Sequence, residues 1–327
     1  MEDLGDRVEE HAPEREEIEK FVTDAGRRIG ETVKDHAPDR EDLDRVVETL
    51  EATLETTVEK VKSLPPAVSK NGKSTSPSES VSRHETADGD WEGEHLRFGE
   101  PVIECSDCTR IIRRGYALLH DNTHQIPLWT AYRLDPEDKN GSGTRDKSRF
   151  KPDPLLKDGD GEYGELDDYR KSGYDRGHMA PAASQKTNQD VMDECFYLSN
   201  MCPQLPGFNR GEWRLLEEQV RDWLDDRDQL WVVMGPGLED GAPRETIGDG
   251  VAAPTHFWKI IVDERHNGEL VAIAFWFPHV EDPGPFMDHV VSIDTIEANT
   301  GLDLFPDLPD AEEIRLEARV RVSDWVD

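Results

Sequence analysis

The stretch Tyr174-Asp175-Arg176-Gly177-His178-Met179 sets a carboxylate, a guanidinium and an imidazole side by side. Its glycine lets the main chain approach a ligand closely. Further on, Phe208-Asn209-Arg210-Gly211-Glu212-Trp213 supplies a carboxamide, and Glu217 follows with another carboxylate. A base, a phosphate clamp and a hard-metal ligand in that order suit hydrolysis of a phosphodiester. Such an ester is negatively charged and gains charge as it is attacked. Its catalyst needs a base for water, a cation near the nonbridging oxygens and help for the leaving oxygen.

His178 can be the base, because an imidazole with a pKa of about 6.5 is neutral and basic at ordinary working pH. Asp175 is expected to orient it or its backbone. Asn209 offers a neutral amide oxygen, a hard, weak donor suited to a Mg2+ ion that keeps most of its waters. Capping a helix after Pro206-Gly207 is the other reading, and both can hold, since a helix start turns positive dipole toward phosphate. If one helix carried both Asn209 and Glu217, they would sit about 80° apart around it and about 12 Å apart along it. Glu217 is therefore expected to hold metal-bound water, a solvent-facing glutamate being the alternative; Glu212 ranks behind it. Arg176 and Arg149 are the phosphate-clamp candidates, each with a fork for two oxygens, and Arg145 is a rival to Arg149.

The elements that must position these groups show in the apolar pattern. Gly115–His120 and Pro127–Leu134 read as strands around the polar turn Asp121-Asn122-Thr123. Leu230–Met234 reads as a strand ending at Gly235-Pro236-Gly237, and His256–Val262 and Leu270–Phe277 as near-continuous apolar strands. Between them, Glu212–Asp225 has helical spacing, with Trp213, Leu216, Val220 and Trp223 on one side. Helix between strands, with hairpins before and after, predicts an α+β domain around a largely antiparallel sheet.

That domain is expected over residues 91–327. Residues 63–90, rich in Ser, Pro and polar residues, read as a flexible linker. Residues 1–62 contain a repeat, His11-Ala12-Pro13-Glu14-Arg15-Glu16 recurring as His36-Ala37-Pro38-Asp39-Arg40-Glu41. Apolar positions at helical spacing in each copy predict an α-helical hairpin, a spacer or a surface for self-association or a protein partner.

The chain of 327 residues carries 38 basic and 72 acidic side chains, a net charge of −34. The acid is general, −11 over residues 1–90 and −23 over residues 91–327. Such a surface should repel a polyanion at low salt, and with few lysines it fits adaptation to high salt. At about 1 M salt the Debye length is about 3 Å, so close contacts decide binding. No apolar run reaches the roughly 18–20 residues of a membrane span, and Met1-Glu2-Asp3-Leu4-Gly5-Asp6 lacks the basic start of a secretory signal. The expectation is a cytoplasmic protein without a membrane. Cys105, Cys108, Cys195 and Cys202 leave open a zinc site, a single disulfide or buried free thiols.

In their order, the histidine motif Asp175–His178, the stretch Leu198-Ser199-Asn200-Met201-Cys202-Pro203-Gln204, the segment Asn209-Arg210-Gly211-Glu212-Trp213, the strand ending in Gly235-Pro236 and Thr300-Gly301-Leu302 resemble the DNA/RNA non-specific endonucleases. These are the ββα-metal nucleases, the endonuclease G-like group. The resemblance covers about residues 95–310 and implies a ββα-metal core on the antiparallel sheet with flanking helices. It implies one Mg2+-type ion (Mg2+ or Mn2+) and cleavage of DNA and RNA with little sequence preference. Through it, Ser148-Arg149-Phe150-Lys151 becomes the arginine segment before the histidine motif. Asn200 becomes either a hydrogen-bonding scaffold beside the site or a direct participant. Two rivals stand beside this reading: a catalytically silent binding module on the same fold, and a phosphodiesterase for small molecules.

Overall fold

The computed structural model describes residues 82–85, 91–156, 166–239 and 241–326. The helical hairpin expected over residues 1–62, and the linker apart from residues 82–85, lie outside these residues. In chain order the strands are β1 (Ser82–Glu85), β2 (Cys108–Ile112), β3 (Ala117–Asp121), β4 (Ile126–Leu134), β5 (Asp175–His178), β6 (Met201–Gln204), β7 (Leu230–Gly237), β8 (Glu245–Ile247), β9 (Val251–Ala253), β10 (His256–Glu264), β11 (Leu270–Pro278) and β12 (Val290–Val291). The helices are α1 (Trp91–His95), α2 (Pro136–Asn140), α3 (Gln189–Glu194), α4 (Pro206–Arg210), α5 (Glu212–Trp223), α6 (Ile293–Thr300) and α7 (Asp310–Glu317).

Eight strands form one sheet in the order β1-β2-β3-β4-β7-β10-β11-β12. Every pairing is antiparallel except β1 with β2, which is parallel. β1 stands inside the stretch read as linker. The turn between β3 and β4 is closed by Asp121, whose Oδ1 accepts from the amides of Thr123 at 2.8 Å and His124 at 3.2 Å.

The near-continuous apolar strands are explained by burial on both faces. Val232, Met234, Phe257 and Ile261 join one core, while Trp231, Val233, Trp258 and Ile260 join the other. Successive side chains point to opposite faces, so a sheet covered on both sides leaves little room for polar alternation. The first face carries α5 and the β5–β6 pair; the second carries α6 and α7. Trp213, Leu216, Val220 and Trp223 of α5 are all buried as the spacing predicted, and burying an aliphatic side chain of this kind stabilises by about 1.5–3 kcal/mol.

Two boundaries differ from expectation. β7 runs through Gly235-Pro236-Gly237 rather than stopping before them, because β10 pairs it as far as His256↔Gly237, whereas β4 pairs it only as far as Thr130↔Met234. The proline therefore falls beyond the doubly paired part of the strand, where a missing amide hydrogen is tolerated. The helix expected over Glu212–Asp225 ends at Trp223 and tightens into a 3-10 turn, Leu224–Asp226. Among the described residues no helix is long and apolar enough to cross a membrane.

The cysteines do not converge. Cys105 and Cys108 are disulfide-bonded, while Cys195 and Cys202 are buried free thiols. Cys108 packs in one core and Cys195 and Cys202 in the other. The sheet lies between the pairs, so the four-cysteine zinc reading is not realised.

Candidate active site

The histidine motif is β5, paired antiparallel with β6 in the register Asp175↔Gln204, Arg176↔Pro203, Gly177↔Cys202 and His178↔Met201. With α5 following, the β5–β6 pair completes a ββα unit on the sheet. Gly177 is required by close approach: a Cβ there would lie 2.1 Å from the Gln204 side chain. The chain beyond His178 is held by Asn200, which is fully buried. Its Oδ1 accepts from the Ala180 amide at 2.9 Å, and its Nδ2 donates to the carbonyls of Ala180 at 3.0 Å and Cys195 at 2.9 Å. All these partners are main chain, so the carboxamide acts on the backbone beside the site.

His178 keeps 9% of its surface exposed. Its ring packs against Phe150 and Phe196, with centroids 5.5 Å and 4.9 Å away, and these two rings also touch each other at 5.1 Å. Nε2 is buried and has no hydrogen-bond partner. Burial, and then the Arg145 charge, push the imidazole pKa down to about 3. The ring is therefore neutral through the ordinary pH range.

Asp175 does not orient His178. Its Oδ2 accepts from Asn209 Nδ2 at 3.0 Å and Arg210 Nε at 2.7 Å, and its Oδ1 from Arg210 Nη2 at 2.6 Å. The separation of three positions explains the difference, since strand residues an odd number apart face opposite sides. Burial works to raise the Asp175 carboxyl, but the hydrogen bonds from Arg210 and Asn209 and the nearby guanidinium charges outweigh it and hold it below the usual range.

Asn209 and Glu217 are not on one helix. Asn209 belongs to α4 and donates its amide to the Leu205 carbonyl at 2.9 Å, so it is not a helix cap either. Gly211 separates α4 from α5 with φ −96° and ψ −119°. A Cβ on it would meet the Gly207 carbonyl oxygen at 2.3 Å. A carboxylate can only accept, so the Asn209 amide nitrogen must face Asp175; its carbonyl oxygen is left as the atom available to a ligand.

Glu217 is largely buried, 15% exposed at its side chain, with Lys259 Nζ 4.0 Å away. Burial raises its carboxyl, while Lys259, Arg221 and Arg145 pull it back. Lys259 is the residue that motif reasoning missed. It is 1% exposed and sits with Nζ 4.1 Å over the Trp213 ring. A lone lysine within an apolar strand was the available signal, since a buried ammonium demands a partner. Glu212 is engaged elsewhere, accepting from the Phe286 amide at 2.9 Å.

The arginines divide differently from expectation. Arg176 stacks over Phe150 at 4.6 Å, with Nε buried and unpartnered. Arg149 is exposed and folds onto its own loop, donating to the carbonyls of Asp146 at 2.8 Å and Ser148 at 2.7 Å. Arg145 lies over Phe196 at 5.7 Å, and its charge acts on both His178 and Glu217. A cavity of about 1110 Å3 lined by Trp223, Arg227, Phe286 and Trp325 contains none of these residues.

The family model described as DNA/RNA non-specific endonuclease matches residues 97–311. The mitochondrial nuclease EXOG of Danio rerio is 35% identical over 225 residues, covering 65% of this chain and 64% of that protein. The mitochondrial endonuclease G of Homo sapiens is 34% identical over 229 residues, covering 66% of this chain and 74% of that protein. The chain thus spans about two-thirds to three-quarters of the length of these relatives. Among solved structures, a chain from the crystal structure of the EndoG/EndoGI complex, a study of EndoG inhibition, matches with a TM-score of 0.59 and 32% identity. That match covers 69% of this chain and 96% of the other.

Proposed function

Because the chain belongs to the DNA/RNA non-specific endonuclease family, we propose that it is an endonuclease hydrolysing phosphodiester bonds of DNA and RNA with one hydrated Mg2+ or Mn2+ ion. The observation that carries this reading is His178, held neutral on β5 of the ββα unit, since a base must keep a lone pair for the proton it takes.

The donor set fits such an ion. The Asn209 oxygen, freed by the Asp175 contact, would be the direct ligand, and Glu217 would hold the ion's water through its carboxylate. One neutral amide with one carboxylate nearby suits Mg2+, which gives up its waters reluctantly. When bound, the ion supplies positive charge at the scissile phosphate and acidifies water that can protonate the leaving 3′-oxygen.

The chain's own residues do the rest. His178 accepts a proton on its imidazole from the water that attacks phosphorus. Its low pKa belongs to the protein without substrate; a phosphodiester beside the ring favours the imidazolium and raises its basicity as the proton arrives. Phe150 and Phe196 exclude water from the ring's flanks and fix its plane. Arg176 and Arg145 hold the nonbridging oxygens, with Arg149 within the same loop as Arg145. Asp175 positions Asn209, and Asn200 positions the chain leaving His178. A site that grips phosphate rather than base edges explains indifference to sequence and sugar.

The similarity to EndoG in its complex with EndoGI supports a protein inhibitor as one class of partner. The net charge of −34 supports high salt as the working condition, where repulsion from nucleic acid is screened. Nicking of circular DNA and cleavage of RNA at high KCl with Mg2+ test the assignment. The variant His178→Ala is expected to lose cleavage while its thermal melting stays near that of the parent. Cleavage by this variant near the parent's rate would overturn the role of His178.

A further inference from the structure

On the opposite face of the sheet from the candidate active site, α6 and α7 bring three carboxylates together. Asp294, Glu297 and Glu317 each offer an oxygen, and these oxygens all lie within 4.8 Å of one another. Asp294 is exposed, Glu297 half-buried and Glu317 buried. Glu317 retains only 7% exposure, and its Oε1 is buried with no hydrogen-bond partner. A buried, unpaired carboxylate turned into other carboxylates demands either a proton or a cation.

No basic side chain of α7 answers that demand. Arg315, two positions earlier, is turned to Glu269, Glu312 and the Leu270 carbonyl. Burial, and then the charges of Glu297, Glu313, Asp294 and Asp303, push the Glu317 carboxyl up to about 8. Glu297 Oε1 accepts from the Leu304 amide at 2.7 Å, which fixes its side chain and leaves its other oxygen for a ligand.

We propose that Asp294, Glu297 and Glu317 form a binding site for a hard divalent cation of the Ca2+ kind, clamping the start of α6 to the end of α7. Ca2+ takes oxygens at about 2.3–2.6 Å in irregular geometry, so oxygens lying within 4.8 Å of one another can share one ion. Carboxylates bound in either one- or two-oxygen fashion, completed by water on the Asp294 side, satisfy it. The site is distinct from the proposed catalytic ion, whose donor set is a single neutral amide on the other face.

The test is calorimetric titration of Ca2+ into the full chain carrying Asn209→Ala, which removes the proposed catalytic ligand, after treatment with EDTA. One Ca2+ is expected to bind. Adding Glu317→Gln or Asp294→Asn should weaken that binding by about tenfold or more. Thermal melting gives a second readout. Glu317→Gln removes the repulsion, so it should raise the melting temperature without Ca2+ and abolish the increase that Ca2+ produces. Failure of the Asn209→Ala protein to bind Ca2+, or undiminished binding in both added variants, overturns the site. Mg2+-dependent nicking tests the active site separately, and Glu317→Gln should leave it unchanged.

Discussion

Asn200→Ala discriminates between scaffold and participant in the candidate site. The side chain is fully buried and makes three hydrogen bonds, all to main chain. Its removal strands the Ala180 amide, the Ala180 carbonyl and the Cys195 carbonyl in the interior. Each orphaned buried polar group costs about 1–3 kcal/mol, so a loss of about 4 kcal/mol lies in the lower half of the combined range. Against a total stability of about 5–15 kcal/mol, the variant still folds at low temperature but with little reserve. Urea denaturation at high KCl, followed by tryptophan fluorescence, should show the midpoint falling by roughly 1.5 M. Nicking by the folded fraction should fall less steeply than in His178→Ala, because His178 keeps its aromatic flanks while the chain after it loosens. A midpoint that barely moves together with abolished nicking would refute this, and would mean that Asn200 meets the substrate directly.

Two other outcomes follow from geometry. Gly211→Ala places a Cβ at 2.3 Å from the Gly207 carbonyl oxygen, a main-chain clash expected to cost about 1–3 kcal/mol; melting should report that cost, and nicking should fall further because Asn209 moves with α4. His279 is held neutral, its Nε2 accepting from the Leu205 amide at 2.8 Å and its Nδ1 donating to the Pro254 carbonyl at 2.7 Å, and burial pushes its pKa down to about 4. A depressed folded pKa means that the stability is fully present above the unfolded value of about 6.5 and is lost as pH falls toward the folded one. Over that window the parent should lose stability relative to His279→Gln by up to about 1.4 kcal/mol per pH unit, and parallel urea midpoints for the two proteins would contradict it.

Much of the fold was legible because its strongest signals are local. The α5 stripe of Trp213, Leu216, Val220 and Trp223 and the apolar runs of β7, β10 and β11 each declare an element without reference to the rest. The chemistry-bearing types, an imidazole and a carboxamide in their motifs, were equally visible. What the sequence hid were partnerships between distant residues. Asp175 stands beside His178 in the chain, yet the pleat turns it toward Asn209 and Arg210. Counting from Asn209 to Glu217 along one helix failed because a single glycine, made obligatory by the Gly207 carbonyl, breaks that helix. Arg145 and Arg149 could not be told apart by spacing, since the loop's own carbonyls capture one and the Phe196 ring draws the other. Lys259 belongs to the same class: its partner, Glu217, lies on another element, and only the packing of α5 on β10 joins them.

The charge of the molecule and the proposed function conflict only if the charge is taken as a single number. Residues 145–151 hold Arg145, Lys147, Arg149 and Lys151 against one acidic side chain, Asp146. That run is tied to the site from both ends, by Arg145 over Phe196 and by Phe150 against His178. Arg176 adds a further guanidinium over the same Phe150 ring. Positive charge is therefore concentrated where the proposed site would take a phosphate, while the net −34 is spread across the whole chain. Salt acts unequally on these two parts. Repulsion from distant surface acids is screened once the Debye length falls to a few ångströms, whereas a guanidinium touching a phosphate oxygen lies within that length. An acidic nuclease of this design would lose at high salt mainly the part of its electrostatics that opposes the substrate.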